Sequence, residues 1–393
     1  METEALNIAP SQRLGGISEY FFSRKLREID GMRAAGKEII NLGIGGPDLP
    51  PHPDIVAELA SEAARPDTHS YQPNKGTPML REAFARWYRE RYGVELDPAA
   101  EILPLMGSKE GLMHICMTYL NPGDRVLIPN PGYPTYRSAA TLAGGVCTDY
   151  RLTEAGGWMP DFEAIEKAGL DGVKMMMVNY PHMPTGALPT RELFEKIVSF
   201  ATKHNLLVVH DNPYSFIRNE NPMSLLSVPG AKAVALELNS LSKSHNMAGW
   251  RIGMVAGAKQ RIDDVLRFRS NMDSGMFRPL QSAAVAALGL GREWYAELNR
   301  TYFGRQDRAY AIMDVLGCTY SKDQAGLFVW GRLPEGSDDC YAYSDRILYD
   351  CGVFITPGGI FGSEGERYLR ISLCAPEAVF DKALAKIENG LKK

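Results

Sequence analysis

The segment NSLSKSHNMAGWRIG groups the residues with the clearest chemical potential in this sequence. It places Ser240, Ser242, Lys243 and Arg251 within twelve residues, and the apolar run that follows would anchor the segment against a core. A lysine amine is a nucleophile toward carbonyl carbon, whereas hydroxyls and a guanidinium suit a phosphate dianion. A lone lysine beside a turn is usually a solvated side chain, so it is the whole string that argues for a site here.

The string resembles the lysine signature of the class I and II aminotransferases, pyridoxal-phosphate enzymes of fold type I. That signature reads S-x-S-K, seven further residues and an arginine, with a glycine two positions before the arginine, and Gly249 supplies the glycine here. The resemblance implies that Lys243 holds pyridoxal 5′-phosphate as a Schiff base and, once freed, shuttles the substrate proton. It further implies that Ser240, Ser242 and Arg251 bind the cofactor phosphate.

An aspartate ends the apolar, β-branched run in LLVVHDNPYSF. Because Pro213 follows closely, the Asp211 carboxylate is expected at the carboxyl end of a strand, where α/β folds bind ligands. Taken alone, an acid in this place is more often a turn or cap residue. The segment resembles the family's D-x-x-Y element, 32 residues before Lys243. The resemblance implies that Asp211 pairs with the protonated pyridine nitrogen and that Tyr214 lies near the ring hydroxyl.

Two further segments resemble cofactor-binding elements of the family. PLMGSKEGLMH, residues 104–114, predicts a strand, a small-residue turn and a helix start, which aims backbone N–H groups at an anion. By resemblance, Gly107, Ser108 and Lys109 belong to the cofactor site, with the last two amides toward the phosphate. PNPGYPTYRSAATLAGG implies that Tyr133 stacks on the pyridine ring, although ordinary aromatic packing would produce the same residue type.

The substrate side is indicated near the two ends of the chain. LGIGG is followed at once by Pro47 and Asp48 instead of a helix, so it is no dinucleotide fingerprint and resembles the family's L-x-x-G-x-P-D entry, in which Gly45 lines the substrate site. RYLRISLCA resembles the family's R-[IL]-[SR] strand, and the resemblance implies that Arg370 grips the substrate α-carboxylate. Lys109 would favour a donor with a distal carboxylate if it projects toward the substrate, but a surface lysine at a helix start is the competing interpretation.

Tyr71 bears on the oligomeric state, and Met183 is a position at which the sequence departs from the family. SYQPNKGTPMLREA resembles a segment whose tyrosine reaches the phosphate of the partner's cofactor, so Tyr71 implies a homodimer. In NYPHMPTG, Met183 stands where the family has an asparagine that bonds the ring hydroxyl. A thioether cannot donate that hydrogen bond. Either Tyr214, Asn179 or a water compensates, or the pKa of the cofactor linkage differs; Asn179 is kept as a neighbour of the ring.

The elements that position these residues follow from the apolar pattern. Between about residues 100 and 260, short apolar runs alternate with longer helical or loop stretches, which predicts an α/β domain with a mainly parallel sheet flanked by helices. The remainder predicts a smaller α+β domain, since 393 residues exceed the size of one core. We expect an N-terminal arm and part of the small domain in 1–45, the large cofactor-binding domain in 46–289, and the C-terminal small domain in 290–393.

One helix is predicted in detail from its capping residues. In TPMLREAFARWYRERYG, Thr77 is a candidate N-cap and Pro78 suits the first helical position. Apolar Leu80, Phe84 and Trp87 recur at helical spacing, and Gly93 marks the end. The pattern predicts a surface helix with one buried face.

Charge and composition exclude several classes of function. With 43 basic and 47 acidic residues and no long run of either sign, the chain lacks the basic surface of a nucleic-acid or membrane binder. The N-terminal METEALNIAPSQRL lacks a secretory pattern, no window approaches the ~18 apolar residues of a membrane span, and the six cysteines are scattered. We therefore expect a soluble cytoplasmic protein with reduced cysteines, no bound metal, and small molecules as partners.

The motifs follow the family's order from about residue 38 to 375. The resemblance implies an aminotransferase that moves the amino group of an L-amino acid to a 2-oxo acid by a ping-pong mechanism through aldimines. The alternative is a pyridoxal-phosphate-dependent lyase or decarboxylase of the same fold, which shares the cofactor site and aligns a different substrate bond. A non-catalytic regulator of this fold is a third class, disfavoured because such proteins carry an added N-terminal DNA-binding domain.

Overall fold

The structure is a computed structural model that describes residues 8–392. Its strands are β1 (Ile40–Asn41), β2 (Ile102–Leu105), β3 (Arg125–Asn130), β4 (Val146–Arg151), β5 (Val173–Val178), β6 (Leu207–Asp211), β7 (Ala235–Ser240), β8 (Gly253–Gly257), β9 (Phe328–Arg332), β10 (Val353–Phe354), β11 (Thr356–Pro357) and β12 (Tyr368–Ser372). Its helices are α1 (Phe21–Ala34), α2 (Pro53–Ala63), α3 (Pro78–Tyr92), α4 (Ser108–Tyr119), α5 (Pro134–Leu142), α6 (Phe162–Lys167), α7 (Arg191–His204), α8 (Ala231–Val234), α9 (Leu241–Ser244), α10 (Lys259–Arg269), α11 (Arg278–Leu288), α12 (Arg292–Val315), α13 (Cys340–Cys351) and α14 (Glu377–Gly390).

A seven-stranded sheet dominates the described part of the chain. Its strands lie in the order β2-β8-β7-β6-β5-β3-β4. The neighbours from β7 to β4 pair in parallel, whereas β8 runs antiparallel to both β2 and β7. Every strand of this sheet except β8 therefore points the same way, so six carboxyl ends meet at one edge.

Helices cover both faces of this sheet, and alternate side chains of its central strands enter two separate cores. In β5, Met175 and Met177 belong to one apolar cluster, whereas Met176 and Val178 belong to another. Successive side chains of a strand point to opposite faces, so a strand with no polar alternation is one buried on both sides. The apolar run MMMV that follows Lys174 thus forms the part of β5 that is buried on both faces.

A smaller antiparallel sheet, in the order β11-β12-β9, carries Arg370, the arginine predicted to bind the substrate carboxylate. Arg370 lies on β12, opposite Trp330 of β9 and Thr356 of β11. Its apolar cluster combines Phe22 of α1 with residues from α12, α13 and α14. An N-terminal helix and the C-terminal part of the chain therefore share one core, and this core faces the carboxyl edge of the large sheet.

Helix α3 begins and ends where the sequence predicts. The Thr77 hydroxyl accepts a hydrogen bond from the Leu80 amide, Pro78 is the first helical residue, and Gly93 ends the helix at φ 66°. A left-handed residue at this position closes the last turn, and glycine adopts that conformation without strain. Phe84 and Trp87 are buried on the inner face, which confirms the predicted surface helix.

The predicted α/β class with a mainly parallel sheet flanked by helices is confirmed. The predicted domain boundaries stay a prediction, and residues 1–7 of the predicted N-terminal arm lie outside the described residues. Between residues 8 and 392, no helix has both the length and the apolar composition for crossing a membrane. The six cysteines are free thiols. A cytoplasmic location stays a prediction from the sequence.

One phenylalanine of α3 faces the core and one phenylalanine of α12 faces solvent, so the two together give a matched test of this packing. Phe84 is fully buried and Phe303 is 42% exposed. We expect Phe84→Ala to lower the free energy of unfolding by about 3–5 kcal/mol, because it leaves a cavity in the core, and Phe303→Ala by less than about 1 kcal/mol. Urea unfolding of the apoprotein, followed by circular dichroism, measures both. Equal shifts of the two midpoints would contradict the placement of Phe84.

Candidate active site

One cavity of about 580 Å³ lies where the carboxyl edge of the large sheet faces α1 and the smaller sheet. It gathers residues from both ends of the chain. The sequence-predicted residues at its wall are Gly45, Ser108, Lys109, Tyr133, Asn179, Asp211, Tyr214, Ser240, Ser242, Lys243, Arg251 and Arg370. Two predicted residues are not at its wall: Gly107 lies behind Arg251, and Tyr71 is 88% exposed on the surface.

The topology explains why these side chains meet. Asn179 follows β5, Asp211 ends β6 and Ser240 ends β7. These neighbouring strands run in parallel, so their carboxyl ends lie side by side. Backbone groups beyond the last ladder pair need other partners, and polar side chains or ligands supply them at this edge.

Lys243 lies on the short helix α9, directly after β7. Its Nζ donates a hydrogen bond to the carbonyl oxygen of Gly45 at 2.6 Å. Burial disfavours the ammonium form and lowers the pKa of the Lys243 amine, and the nearby positive charge of Arg370 acts in the same direction. The amine is therefore closer to its neutral, nucleophilic form than a solvated lysine.

The Asp211 carboxylate is buried at the end of β6 and only half satisfied. Its Oδ2 accepts a hydrogen bond from the Tyr136 hydroxyl at 3.0 Å, while Oδ1 is buried without a hydrogen-bond partner among residues 8–392. Burial raises the pKa of this carboxyl to about 6, and the Tyr136 hydrogen bond opposes the rise. A buried, unpaired acceptor oxygen at a cavity wall suits a positively charged N–H donor on a ligand.

A pocket for an anion lies at the start of α4. Gly107 adopts φ 84° before the first turn of this helix, and a Cβ there would collide with the guanidinium of Arg251. Arg251 donates to the carbonyl of Ala248 at 2.9 Å and lies 3.4 Å from the Ser242 hydroxyl, which in turn accepts from Ser240 at 2.9 Å. A helix N-terminus, two hydroxyls and a guanidinium together match a phosphate dianion.

Arg370 is buried among aromatic rings. Its guanidinium carbon lies 3.8 Å from the ring centroid of Phe328 and 4.7 Å from that of Phe361. One terminal nitrogen donates to the Gly43 carbonyl at 2.7 Å, and within residues 8–392 the buried Nε has no hydrogen-bond partner. Burial lowers the pKa of Arg370 to about 10, so the side chain is still positively charged at neutral pH. A desolvated, incompletely bonded guanidinium suits a carboxylate ligand.

Met183 and Asn179 occupy the loop after β5. The Asn179 amide donates to the carbonyl of Asp211 at 2.6 Å, and its oxygen accepts from the Met183 amide at 2.7 Å. Both polar ends of this side chain are therefore engaged by backbone. The Met183 sulfur lies 3.4 Å from a terminal nitrogen of Arg370 and accepts its hydrogen bond. Burial raises the pKa of Tyr214, which leaves its phenol protonated as a donor toward the cavity.

Several wall residues were missed by reasoning from sequence. Helix α1 contributes Phe22, Ser23 and Leu26, which carry no motif and come from a segment far from the others in the chain. Tyr136, the partner of Asp211, is the second tyrosine of the quoted PNPGYPTY string, so its spacing of three from Tyr133 was an available signal. Further missed wall residues are Tyr20, Ile44, Gly46, Pro213, Ala248, Phe328 and Phe361.

These residues fit pyridoxal 5′-phosphate, the cofactor implied by the resemblance. The anion pocket suits its phosphate, and the unpaired oxygen of Asp211 suits a protonated ring nitrogen. The Lys243 amine lies at the same cavity, as attachment to the aldehyde requires.

Comparison with known proteins identifies the family. The model of the family "Aminotransferase class I and II" matches residues 37–387. An LL-diaminopimelate aminotransferase of Dehalococcoides mccartyi is 40% identical over 381 residues, which cover 96% of this chain and 98% of the relative. The enzyme of the same name from Oleidesulfovibrio alaskensis is 41% identical over 386 residues, with 96% and 98% covered.

Solved structures agree with this match. Substrate-bound BacF from Bacillus subtilis superposes with a TM-score of 0.93 at 37% identity and 98% coverage of both chains. A Thermus thermophilus aspartate aminotransferase double mutant gives a TM-score of 0.90 at 26% identity, covering 98% of this chain and all of the other. The fold is that of the fold-type I aminotransferases. The chain belongs to the class I and II aminotransferase family and is a pyridoxal-phosphate-dependent aminotransferase.

Proposed function

We propose that Lys243, Asp211 and Arg370 are the three charged groups through which this aminotransferase transfers amino groups. The observation that carries the proposal is their convergence on one cavity: a partly buried amine, a buried carboxylate oxygen unpaired among residues 8–392, and a buried guanidinium. When bound, the cofactor supplies an aldehyde that takes up the amino group and a ring that withdraws electrons from the substrate Cα. The residues supply attachment, orientation and proton movement.

Lys243 is assigned two tasks. Its amine, with the pKa lowered by burial, would attach the resting cofactor, and once substrate has displaced it, Nζ would carry the proton that leaves the substrate Cα. The Gly45 carbonyl, which accepts from Nζ, holds the amine at the substrate side of the cavity. Asp211 keeps the proton on the ring nitrogen, and the Tyr136 hydroxyl orients the carboxylate for that task.

The remaining wall residues are assigned to holding cofactor and substrate. Ser240, Ser242, Arg251 and the amides of Ser108 and Lys109 would hold the phosphate, as the resemblance implies, with Gly107 beside them. Tyr133 would stack on the cofactor ring, and Tyr214 would donate to the ring hydroxyl. Asn179 acts indirectly, because both of its polar atoms bond backbone. Arg370 receives the substrate α-carboxylate, with the flat faces of its guanidinium covered by Phe328 and Phe361.

The amino donor is proposed to carry a second, distal carboxylate. Lys109 is at the cavity wall, with Nζ 5.1 Å from the ring centroid of Tyr20, and it forms no ion pair with any acidic side chain between residues 8 and 392. Lys109 is an exposed side chain at this wall, and a cation in that place favours an anionic group on the ligand. Relatives such as that of Dehalococcoides mccartyi bear the name LL-diaminopimelate aminotransferase, and diaminopimelate has a second carboxylate.

A second donor class is favoured by a different part of the wall. Tyr20, Phe22, Leu26 and Ile44 line the cavity beside Lys109. Such a wall favours a large apolar or aromatic side chain. The two classes differ in their dependence on the Lys109 charge.

The active unit is proposed to be a homodimer to which Tyr71 contributes. Exposed apolar side chains, among them Tyr71, Met106, Met272 and Phe277, lie on three segments that contact one another. The buried Arg269, just before Met272, donates to the carbonyls of Asn74 and Pro104, which ties the segments together. A contiguous apolar surface of this kind marks an interaction site, and a second copy of the chain would bring a partner tyrosine to it.

Replacement of the attachment lysine is the direct test of the cofactor assignment. We expect Lys243→Ala to fold, to lose borohydride-trappable cofactor and to lose turnover by about 10³-fold or more, because alanine lacks the amine that attaches cofactor and moves the proton. Wild type mixed with one amino acid yields stoichiometric 2-oxo acid in a single half-reaction. Lys37→Ala, on the exposed surface, is the control. Trapped cofactor in the Lys243 variant would contradict the assignment.

The two donor classes separate on the Lys109 charge. If the donor has a distal carboxylate, Lys109→Met should raise KM for diaminopimelate or glutamate about tenfold or more, through loss of a charge-assisted hydrogen bond, while KM for phenylalanine is unchanged. Steady-state assays with each donor, with Lys37→Met as control, measure this. A uniform loss for all donors, or efficient turnover of phenylalanine alone, would refute the acidic-donor proposal.

Hybrid dimers test the role of Tyr71. If each site needs Tyr71 from one subunit and Lys243 from the other, a Tyr71→Ala and Lys243→Ala heterodimer contains one intact site. We therefore expect co-expressed variants to be more active than either variant alone, with all forms dimeric by analytical ultracentrifugation. Tyr341→Ala, at another exposed tyrosine, is the control and should match wild type. Hybrids no more active than their parents would contradict a shared site.

A further inference from the structure

Behind the cavity, strands β6 and β7 carry an acid and a base that the proposed mechanism does not use. His210 and Glu237 are register partners, and both side chains have 0% exposure. Nδ1 of His210 lies 2.8 Å from Oε2 of Glu237. Successive side chains of a strand alternate in direction, so His210 points away from the cavity while the next residue, Asp211, points toward it.

The surroundings of Glu237 favour its ionised form. The hydroxyls of Tyr88 and Ser224 donate to Oε1 at 2.9 and 2.8 Å, and the amide of Leu225 donates to Oε2 at 2.8 Å. The Ser224 oxygen is itself an acceptor for the Leu226 amide, so its proton is directed at the carboxylate. Three donors besides the histidine match the lone pairs of a carboxylate and stabilise its charge.

The surroundings of His210 require protons on both ring nitrogens. Nε2 lies 3.1 Å from the carbonyl oxygen of Tyr180. A carbonyl only accepts, so Nε2 carries a proton. Nδ1 faces the ionised Glu237 and carries the second proton. The pair therefore has the hydrogen-bond geometry of an imidazolium beside a carboxylate.

We propose that Glu237 and His210 are positioning residues for Asp211: Glu237 maintains a buried positive charge on His210, and that charge holds the adjacent Asp211 carboxylate ionised. The inference rests on the role proposed above for Asp211 at the cofactor's ring nitrogen. There, Oδ1 of Asp211 would share one proton with that nitrogen. A positive charge beside the carboxylate favours the arrangement with the proton on nitrogen, so the N–H bond persists and no O–H bond forms.

Two further observations support this assignment. Burial raises the pKa of Asp211 to about 6, and both the Tyr136 hydrogen bond and the charge of His210 oppose that rise. The loop after β5 is bound to strand β6 at two adjacent residues. His210 contacts the Tyr180 carbonyl, and Asn179 donates to the carbonyl of Asp211 at 2.6 Å.

The charge on His210 is measured first, in the apoprotein. Nitrogen-15 labelling of the histidine rings, with the His210 signals identified by their loss in His210→Gln, reports the protonation of each ring nitrogen. We expect both nitrogens of His210 to carry protons at pH 8, where a solvated imidazole is neutral. A single protonated nitrogen would overturn the inference, and this reading needs no variant of Glu237 to fold.

The consequence is measured in the holoenzyme with nitrogen-15 in the cofactor ring. We expect Glu237→Gln to shift the ring nitrogen toward its unprotonated signal and to lower kcat about tenfold with little change in KM, since only proton placement is affected. Glu166→Gln is the matched control, because Glu166 pairs with His204 near the surface at 2.7 Å and lies outside the cavity. It should leave the ring nitrogen protonated.

Removal of one partner alone leaves an unpaired buried charge and destabilises the fold. The double variant His210→Gln with Glu237→Gln removes both charges, and the same shift of the ring nitrogen is expected in it. If the folded variants keep the wild-type signal of the ring nitrogen, the inference about His210 and Glu237 is overturned and the role of Asp211 is not. A wild-type ring nitrogen without a proton would instead overturn the role of Asp211, and the inference with it, so the two failures are distinguishable.

Discussion

Burial of charge around one cavity is the constraint on which the rest of this structure depends. Lys243, Asp211 and Arg370 lie at the same wall, and each would be better solvated in bulk water. The protein offsets this with a partial set of hydrogen bonds: a carbonyl for the amine, a phenol for the carboxylate, and a carbonyl and a thioether for the guanidinium. Because the hydrogen-bonding capacity of these three side chains is only partly used within the protein, each can still bind a ligand.

The large sheet is the scaffold that makes this arrangement rigid. Its parallel strands are buried on both faces, and their carboxyl ends carry Asn179, Asp211 and Ser240 at adjacent positions. Side chains attached to a hydrogen-bonded strand edge have little freedom, so distances between the reacting groups are set by strand spacing. The pair of His210 and Glu237 is fixed by the same sheet, because the strand register places it next to Asp211 and on the opposite face.

The other half of the cavity is built from a separate core. Phe22 on α1 belongs to the apolar cluster of the smaller sheet and Arg370 lies on β12 of that sheet, so the residue proposed for the substrate and those proposed for the cofactor come from different packing units. The thioether of Met183 joins them, because it follows β5 of the large sheet and accepts a hydrogen bond from Arg370. A residue that departs from the family at the cofactor is thereby coupled to the group proposed to bind the substrate carboxylate.

Local patterns in the sequence determined much of this. The string around Lys243, the aspartate that ends an apolar run, the caps of α3 and the alternation of strands and helices are encoded within short windows, where spacing and periodicity report on geometry directly. The class of fold followed from these patterns, and the cofactor and half of the residues at the wall of the cavity followed from the resemblance that the motifs carry.

Only the tertiary structure decided which distant residues complete the site. The wall formed by α1, the Tyr136 hydrogen bond to Asp211, and the buried pair of His210 and Glu237 depend on segments that are far apart in the chain. Each of these residues is unremarkable in its local window, because a phenylalanine in a helix or a glutamate in a strand has many uses. Contacts across the fold carry no local periodicity, so their chemistry becomes visible only when packing brings the partners together.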